Sequence, residues 1–167
     1  MNSEKNIVLI GMPGCGKTTF GKAIAKELQR PFYDADDVVV EQEGKTIPEL
    51  FAVSEDCFRD AETRAAQTLA TKKGCIIACG GGVVKRSVNI EIYKKTGLII
   101  WIDRSPAAIV GDVDAGSRPL LREGAQKIYD LYHERLSLYQ KAADYTIVND
   151  KASEDVMREL IDCIHTI

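Results

Sequence analysis

Residues 7–18 read IVLIGMPGCGKT, an apolar run followed directly by a glycine-rich segment. The first four residues are apolar and predict a buried strand, and residues 11–18 fit the pattern G-x-x-x-x-G-K-[ST]. Glycines let backbone N–H groups curl around a polyphosphate without Cβ clashes. The helix predicted to follow presents its N-terminus to the same anion. The stretch therefore predicts a phosphate-binding loop, or P-loop, between a strand and a helix.

Two side chains of this loop have a predicted chemical role. Lys17 places a positive charge near the β- and γ-phosphates of a nucleoside triphosphate, and the Thr18 hydroxyl suits Mg²⁺. Cys15 is predicted to be a spacer, although a helix N-terminus can lower the pKa of its thiol. ATPases, GTPase switches and kinases all use such a loop, so the loop alone does not identify the reaction. The candidate nucleotide-binding residues are Gly14, Cys15, Gly16, Lys17, Thr18 and Thr19.

Apolar, strand-like runs alternate with helical patterns along the chain. Four of the five runs are almost continuously hydrophobic, which is typical of parallel strands buried on both faces. Ser54 and Ser153, each followed by two acids, are predicted to cap helices, and the small, polar residues 111–118 are predicted to form a mobile loop. Such alternation predicts βαβ units in an α/β fold. The predicted strands are residues 7–10, 31–33, 75–79, 98–102 and 145–148, and the predicted helices are residues 17–29, 54–73, 124–143 and 153–166.

The composition of the chain excludes several classes of protein. The 167 residues fit one domain, residues 1–167, and a content of 45% hydrophobic and 28% charged residues excludes an intrinsically disordered chain. The net charge of −3 provides no basic excess for nucleic acid. No apolar run approaches the roughly 20 residues of a membrane span. Five cysteines without a C-x-x-C pair favour free thiols, and we therefore expect a cytoplasmic protein with neither a nucleic-acid nor a membrane partner.

A pair of carboxylates follows the second predicted strand. Asp34 and Asp36 lie two residues apart, so on a strand they would face the same side, and the carboxyl end of a parallel strand opens on the ligand crevice. One carboxylate can serve the Mg²⁺ shell, and the other can hold or deprotonate an acceptor hydroxyl. The alternative is structural, because Asp36 or Asp37 can instead cap the helix that follows.

Glycines and arginines supply further candidates. Three glycines at 80–82 follow the third predicted strand and present backbone N–H groups that can bind a hydroxyl or a carboxylate, unless they form a plain tight turn. Arg59 and Arg135 lie on predicted helices that can border the crevice, or they are solvated helix charges. Arg118, at the end of the polar loop, is placed like a lid arginine that folds over the phosphates.

Six segments of the chain occur in the order of a known enzyme family and cover nearly its full length. They are GMPGCGKTT (11–19), YDADDVVVEQEGKTIPELF (33–51), FRDAE (58–62), ACGGGVV (78–84), SRPLL (117–121) and RLSLY (135–139). With them the chain resembles the shikimate kinases, which phosphorylate the 3-hydroxyl of shikimate. The resemblance implies a three-layer α/β/α P-loop kinase fold with five parallel strands in the order 2-3-1-4-5 and a mobile lid. It also implies ATP and shikimate as substrates, Mg²⁺ as cofactor, and a monomer.

The resemblance further implies a role for each candidate residue. Residues 34–62 would contribute the shikimate-binding region, and residues 111–124 would form the lid. Thr18 and Asp34 would serve the metal. The implied catalytic residues are Lys17, Asp36 and Arg118, of which Arg118 also binds the nucleotide. The implied shikimate-binding residues are Asp36, Arg59, Gly80, Gly81, Gly82 and Arg135.

Some positions depart from the family's pattern. Ser54 stands where the family usually has a glycine before a glutamate. Residues 108–117 contain no arginine to lie against the adenine, and two aspartates, Asp112 and Asp114, stand there instead. In the loop after the last predicted strand, Lys151 is the only basic residue. The missing lid arginine bears on how the adenine is packed.

Two other functions stay open at this point. A gluconate-type kinase also carries Asp-x-Asp, although no His-Pro follows Asp36. The second alternative is a nucleotide-dependent ATPase or a GTPase-type switch, but the sequence lacks the Asn/Thr-Lys-x-Asp string of guanine-binding proteins. Asp103, after residues 98–102, could be the metal-binding acid of an ATPase, or it could cap the turn before Ser105.

Overall fold

The computed structural model describes residues 4–115 and 122–167. Arg118 lies outside the described residues, as do residues 116–121 of the predicted lid. Five strands form the sheet: β1 (Asn6–Ile10), β2 (Phe32–Asp34), β3 (Ile76–Ala78), β4 (Gly97–Asp103) and β5 (Tyr145–Val148). The helices are α1 (Lys17–Glu27), α2 (Ala35–Glu43), α3 (Ile47–Val53), α4 (Glu55–Ala70), α5 (Ser87–Lys94), α6 (Pro106–Ala115), α7 (Arg122–Ala142) and α8 (Ser153–Thr166).

All five strands are parallel and lie in the order β2-β3-β1-β4-β5, which confirms the predicted fold. Strand β1 is central, since Val8 pairs with Ile77 of β3 on one side and with Ile99 of β4 on the other. All five residues of β1 are buried. Helices must therefore cover both faces of the sheet, as a three-layer arrangement requires.

The last strand departs from the prediction that it is buried on both faces. Tyr145 and Val148 of β5 are 40% and 43% exposed, and only Ile147 is buried. The physical reason is position, because β5 lies at the edge of the sheet and pairs with β4 alone. Apolar composition therefore identified a strand here but did not locate it in the sheet.

Of the two predicted helix caps, Ser54 is confirmed and Ser153 is not. Ser54 precedes α4 and its Oγ accepts a hydrogen bond from the Cys57 amide at 2.9 Å, which confirms the prediction. The prediction for Ser153 is wrong, because this residue is the first of α8 and the residue before it, Ala152, has no side chain that could accept a capping hydrogen bond.

Helix α6 corrects a further prediction. Residues 111–115 continue this helix, so the predicted mobile loop at 111–118 is wrong for them. The Ser105 hydroxyl oxygen accepts a hydrogen bond from the Ala108 amide at 3.2 Å and so caps the start of α6. In the part of the chain that is described, no helix is long and apolar enough to cross a membrane.

Candidate active site

The P-loop joins β1 to α1 and is closed around the ammonium group of Lys17. Gly14 and Gly16 have φ values of +84° and +110°, a left-handed conformation that residues with a Cβ rarely adopt. Lys17 Nζ donates hydrogen bonds to the carbonyl oxygens of Gly11 at 2.7 Å and Met12 at 2.9 Å. The loop therefore holds its own lysine at the amino end of α1.

Cys15 is buried inside the same loop. Its carbonyl oxygen accepts a hydrogen bond from Asn149 Nδ2 at 2.9 Å, so the residue after β5 also supports the P-loop. Burial raises the pKa of the Cys15 thiol, and the opposing effect of Lys17 is smaller. The expectation of a lowered thiol pKa is therefore wrong, whereas the prediction that Cys15 is a buried spacer agrees with its position.

A cleft of about 670 Å³ opens at the carboxyl ends of the strands, and we call it the P-loop cleft. It contains most of the predicted nucleotide-binding and metal-binding residues. It also contains polar side chains for which no role was predicted, among them Arg104 and Asn149. Its lining residues are Pro13, Gly14, Gly16, Lys17, Thr18, Thr19, Phe20, Asp34, Asp36, Cys79, Gly80, Gly81, Arg104, Asp112, Asn149, Lys151 and Ser153.

Asp34 and Asp36 both line this cleft, but not because they share a strand. Strand β2 ends at Asp34, and Asp36 lies in the first turn of α2. Asp34 Oδ1 accepts a hydrogen bond from the Asp36 amide at 2.9 Å, so Asp34 caps α2 and the alternative that Asp36 or Asp37 caps it is wrong. Thr18 Oγ1 donates to the other oxygen, Asp34 Oδ2, at 3.4 Å.

The carboxyl group of Asp36 has an unusual electrostatic environment. Burial raises its pKa, and repulsion from Asp34 raises it further, while Lys17 and Arg59 act in the opposite direction. A carboxylate whose pKa is raised is a better proton acceptor at neutral pH. Asp36 therefore combines a position in the cleft with the acid–base property that an acceptor hydroxyl would require.

A second cavity of about 400 Å³ lies beside the P-loop cleft, and we call it the arginine cavity. The two share four lining residues: Pro13, Asp36, Gly80 and Gly81. A ligand on the P-loop and a ligand in the arginine cavity would therefore meet at Asp36 and the first two glycines of the triplet.

The arginine cavity contains two buried guanidinium groups with different partners. Arg59 and Arg135 are each 7% exposed. Arg59 forms ion pairs with Glu62 at 2.8 Å and Glu55 at 3.6 Å. Within residues 4–115 and 122–167, Arg135 has no ion-pair partner, and its Nε has no hydrogen-bond partner. A buried guanidinium without a counter-charge is costly, so Arg135 is suited to bind an anion from outside the chain.

The glycine triplet is required by close approach of neighbouring groups. A Cβ on residue 80 would lie 3.0 Å from Asp36 Oδ1, and one on residue 81 would lie 2.6 Å from Pro13 Cδ. A Cβ on residue 82 would lie 2.5 Å from Arg59 Nη2. The triplet forms a turn, closed by a hydrogen bond from the Val83 amide to the Gly80 carbonyl oxygen at 3.2 Å, and this turn brings its backbone against the groups that line the cavities.

Sequence reasoning missed Glu62, although a signal for it existed. Glu62 follows Arg59 by three residues on α4, and residues at that spacing are neighbours on a helix. The side chain of Glu62 is 4% exposed, and its Oε2 has no partner among the described residues. Burial raises the pKa of Glu62 in spite of its bond with Arg59.

Asp103 fits neither of the two roles considered for it. Tyr132 donates its hydroxyl to Asp103 Oδ1 at 3.1 Å, and Asp103 is not among the residues that line the P-loop cleft. Ser105, not Asp103, caps the turn that follows. The carboxylate therefore ties β4 to α7.

Together, the parallel sheet, the P-loop and the adjoining anion cavity define a P-loop kinase of small molecules. The profile of the family described as Shikimate kinase matches residues 13–165. The Shikimate kinase of Clostridium beijerinckii is 46% identical over 161 residues, which cover 96% of this chain and 95% of that protein. The chain therefore belongs to the shikimate kinase family, which confirms the resemblance found in the sequence.

Solved structures agree with this assignment. A solved structure described as "Shikimate kinase from Acinetobacter baumannii in complex with shikimate" matches with a TM-score of 0.88 and 30% identity, covering 99% of this chain and 95% of that one. A gluconokinase from Sinorhizobium meliloti matches with a TM-score of 0.66 but only 13% identity, covering 99% of this chain and 94% of that one. The similarity to the gluconokinase shows only that the two proteins share a fold.

Proposed function

We propose that the chain transfers the γ-phosphate of ATP to the 3-hydroxyl of shikimate, giving shikimate 3-phosphate and ADP. The observation that carries this proposal is the junction of the two cavities at Pro13, Asp36, Gly80 and Gly81. A kinase must bring a phosphoryl donor and an alcohol together with water excluded. ATP on the P-loop and shikimate in the arginine cavity would meet at that junction.

The P-loop side of the junction is suited to hold the ATP phosphates. Lys17 Nζ donates two hydrogen bonds to loop carbonyl oxygens. Its third hydrogen bond is long, 3.8 Å to Cys15 Sγ. A phosphate oxygen can replace that weak partner, because an ammonium group has three donors. The backbone amides of residues 14–19 and the amino end of α1 add positive potential at the same place.

Thr18 and Asp34 would hold Mg²⁺ beside the phosphates. Their facing oxygens lie 3.4 Å apart, and Thr18 is exposed while Asp34 is half-buried, so solvent reaches the pair. This donor set fits the metal, since Mg²⁺ prefers oxygen ligands and usually keeps several waters and phosphate oxygens in its shell. When bound, the metal would neutralise charge on the phosphates.

The arginine cavity is suited to an acid that also carries hydroxyls. Arg135, and Arg59 held by Glu62, would bind the shikimate carboxylate, because guanidinium groups match the two oxygens of a carboxylate. The amides at Gly81 and Gly82 and the Asp36 carboxylate would bind the hydroxyls. Asp36 would position the 3-hydroxyl and accept its proton as the phosphoryl group arrives. Positioning is the larger part of that role, since a loose transition state needs little base assistance.

A coupled assay with ATP and shikimate tests the reaction, and Arg135→Lys tests the acceptor site. We expect ADP formation to depend on shikimate, and Arg135→Lys to raise the shikimate KM roughly ten- to a hundredfold while the ATP KM changes little. ADP formation that is independent of shikimate would instead indicate an ATPase. Phosphorylation of gluconate in place of shikimate would indicate the gluconate-type alternative.

Arg118 is part of the proposal through the family resemblance alone. It would reach the ATP phosphates from the lid as the lid closes, so Arg118→Ala is expected to lower kcat more than it raises either KM. We also propose that the enzyme works as a cytoplasmic monomer. The resemblance to the shikimate kinases supports the monomer. Sedimentation of the active enzyme at its assay concentration tests the oligomeric state.

A further inference from the structure

Tyr139 is a buried residue of α7 that contacts the glycine triplet. Its side chain is fully buried, and its hydroxyl donates a hydrogen bond to the Gly81 carbonyl oxygen at 2.5 Å. Its ring stacks on Trp101 of β4 with the centroids 5.8 Å apart and the planes inclined by 22°. Burial raises the pKa of Tyr139 to about 12, so the hydroxyl remains protonated and available as a donor. The tyrosine therefore links β4 to the triplet.

This bond determines the direction of a neighbouring N–H group. In a trans peptide the carbonyl oxygen and the N–H of the next residue point in opposite directions. With the Gly81 carbonyl held towards α7, the Gly82 amide points away from that helix. Among the described residues, no backbone carbonyl accepts a hydrogen bond from the amides of Gly81 or Gly82. Both glycines line the arginine cavity, so these amides are available to a ligand.

The same helix carries Arg135, which forms no ion pair with any described residue. Arg135 precedes Tyr139 by four residues, and side chains at that spacing lie on one face of a helix. A Cβ on residue 81 would lie 3.2 Å from Arg135 Nη1, so the arginine and the triplet are in direct proximity. We propose that Tyr139 is a positioning residue for shikimate: its hydroxyl fixes the Gly81–Gly82 peptide relative to Arg135, so that amide and guanidinium bind one substrate molecule together. This inference rests on the shikimate site proposed above.

Tyr139→Phe is the variant that tests the inference, because it removes the hydroxyl and keeps the ring that stacks on Trp101. The Gly81 carbonyl would lose its partner, and the peptide would no longer be held in one orientation. We expect the shikimate KM to rise by roughly tenfold, the effect of one buried acceptor left unpaired, with the ATP KM within about twofold of the wild-type value. Trp101 is the only tryptophan in the chain, so its fluorescence provides an independent titration of shikimate binding.

Tyr132→Phe is a matched control on the same helix. It removes a hydroxyl that donates to Asp103 at 3.1 Å, and it lies outside both cavities. We expect it to lower the thermal midpoint of unfolding as much as Tyr139→Phe does and to leave the shikimate KM unchanged. This comparison separates a loss of stability from a loss of positioning.

Measuring Arg135→Lys in the same assays distinguishes failure of this inference from failure of the proposed shikimate site. A raised shikimate KM in both Arg135→Lys and Tyr139→Phe, with Tyr132→Phe normal, supports the inference. A normal shikimate KM in Tyr139→Phe, or equal rises in the shikimate and ATP KM, overturns it and makes Tyr139 a packing residue only. If Arg135→Lys itself leaves the shikimate KM unchanged, the proposed shikimate site is wrong, and the inference falls with it.

Discussion

Gly82 lies so close to Arg59 that a Cβ on residue 82 would stand 2.5 Å from the guanidinium nitrogen Nη2. The Arg59 guanidinium therefore occupies the space that a side chain on residue 82 would need. Gly82→Ala would displace the guanidinium and disturb its ion pair with Glu62, because the Cβ would also lie 2.6 Å from Arg59 Nη1, the nitrogen that bonds to Glu62. We expect the shikimate KM to rise roughly tenfold or more, the scale of an overpacked buried site, as measured by steady-state kinetics at saturating ATP.

Gly44→Ala is a control for the effect of an added methyl group. Gly44 ends α2 with φ of +64°, and no atom of the described residues lies within 4 Å of the place where its Cβ would be. The substitution should therefore cost stability through backbone strain and leave the shikimate KM unchanged. If Gly44→Ala raised the KM as much as Gly82→Ala, general destabilisation would explain both, and the contact with Arg59 would lose its significance.

The raised pKa of Asp36 predicts the pH dependence of catalysis. If the ionised carboxylate holds the 3-hydroxyl, kcat/KM for shikimate should fall on the acid side through an apparent pKa above that of an ordinary aspartate. Asp36→Asn should lower kcat by roughly a hundredfold and should remove this acid limb from the remaining activity. An acid limb that persists in Asp36→Asn would assign it to another group, of which the buried Glu62 is the first candidate.

The same pKa predicts an opposite effect on stability. Because the folded state raises the pKa of Asp36, ionising this group opposes folding, and stability is lost as the pH rises from the ordinary aspartate pKa to the raised one. Asp36→Asn should therefore make the protein more resistant to urea at neutral pH. The difference should vanish in acid, below both pKa values, where Asp36 is uncharged in both states. A variant that is less stable at neutral pH would show that Asp36 has stabilising contacts that outweigh its burial.

Asp34→Asn separates the metal role of Asp34 from its role as a helix cap. Asparagine caps helices as well as aspartate does, so the bond to the Asp36 amide should survive and α2 should keep its position. The negative charge beside Thr18 is lost, and the Mg²⁺ concentration for half-maximal activity should rise roughly tenfold or more. Asp37→Asn removes an exposed charge from the same turn of α2 and should leave the Mg²⁺ dependence unchanged. Equal effects of the two variants would point to general electrostatics instead of a metal ligand.

The sheet and the P-loop could be predicted from the sequence because their signals are local. Residues 11–18 carry the loop pattern, and the apolar runs at 98–102 and 145–148 identified β4 and β5. The position of a strand within the sheet depends on distant pairing, and this is why the exposure of β5 was not predicted. The cap of α2 was placed too late, at Asp36 or Asp37, because three aspartates occur in residues 34–37 and only the folded chain shows that Asp34 accepts the hydrogen bond from the Asp36 amide.

The candidate site could be predicted in part. Arg59, Arg135 and the glycines at 80–82 were found as separate candidates, and the fold brings them to one cavity. Their partners were harder to find, because Tyr139 meets Gly81 across 58 residues of sequence and no local pattern reports such a contact. Arg104 was missed for a similar reason, since only the folded chain brings it to the P-loop.

Arg104 follows β4 and lies at the mouth of the P-loop cleft. Its Nη1 donates a hydrogen bond to the Gly14 carbonyl oxygen at 3.0 Å, and its other terminal nitrogen, Nη2, forms an ion pair with Asp112 of α6. The side chain of Arg104 is 20% exposed and that of Asp112 is 66% exposed. The arginine can therefore act on a bound nucleotide through its charge, or it can simply tie α6 to the P-loop.

Arg104→Ala and Asp112→Asn distinguish these two roles. If the charge of Arg104 attracts the nucleotide, Arg104→Ala should raise the ATP KM by roughly fivefold, the effect of one partly exposed charge contact, and leave the shikimate KM unchanged. Asp112→Asn should then lower the ATP KM, because it frees the guanidinium from a competing anion. If Arg104 only ties α6 to the loop, both variants should change the ATP KM in the same direction. Arg158→Ala removes the arginine of an exposed ion pair on α8 and should change neither KM. A rise in the ATP KM in Asp112→Asn as large as that in Arg104→Ala would therefore exclude direct attraction of the nucleotide, since only the tether is lost in both.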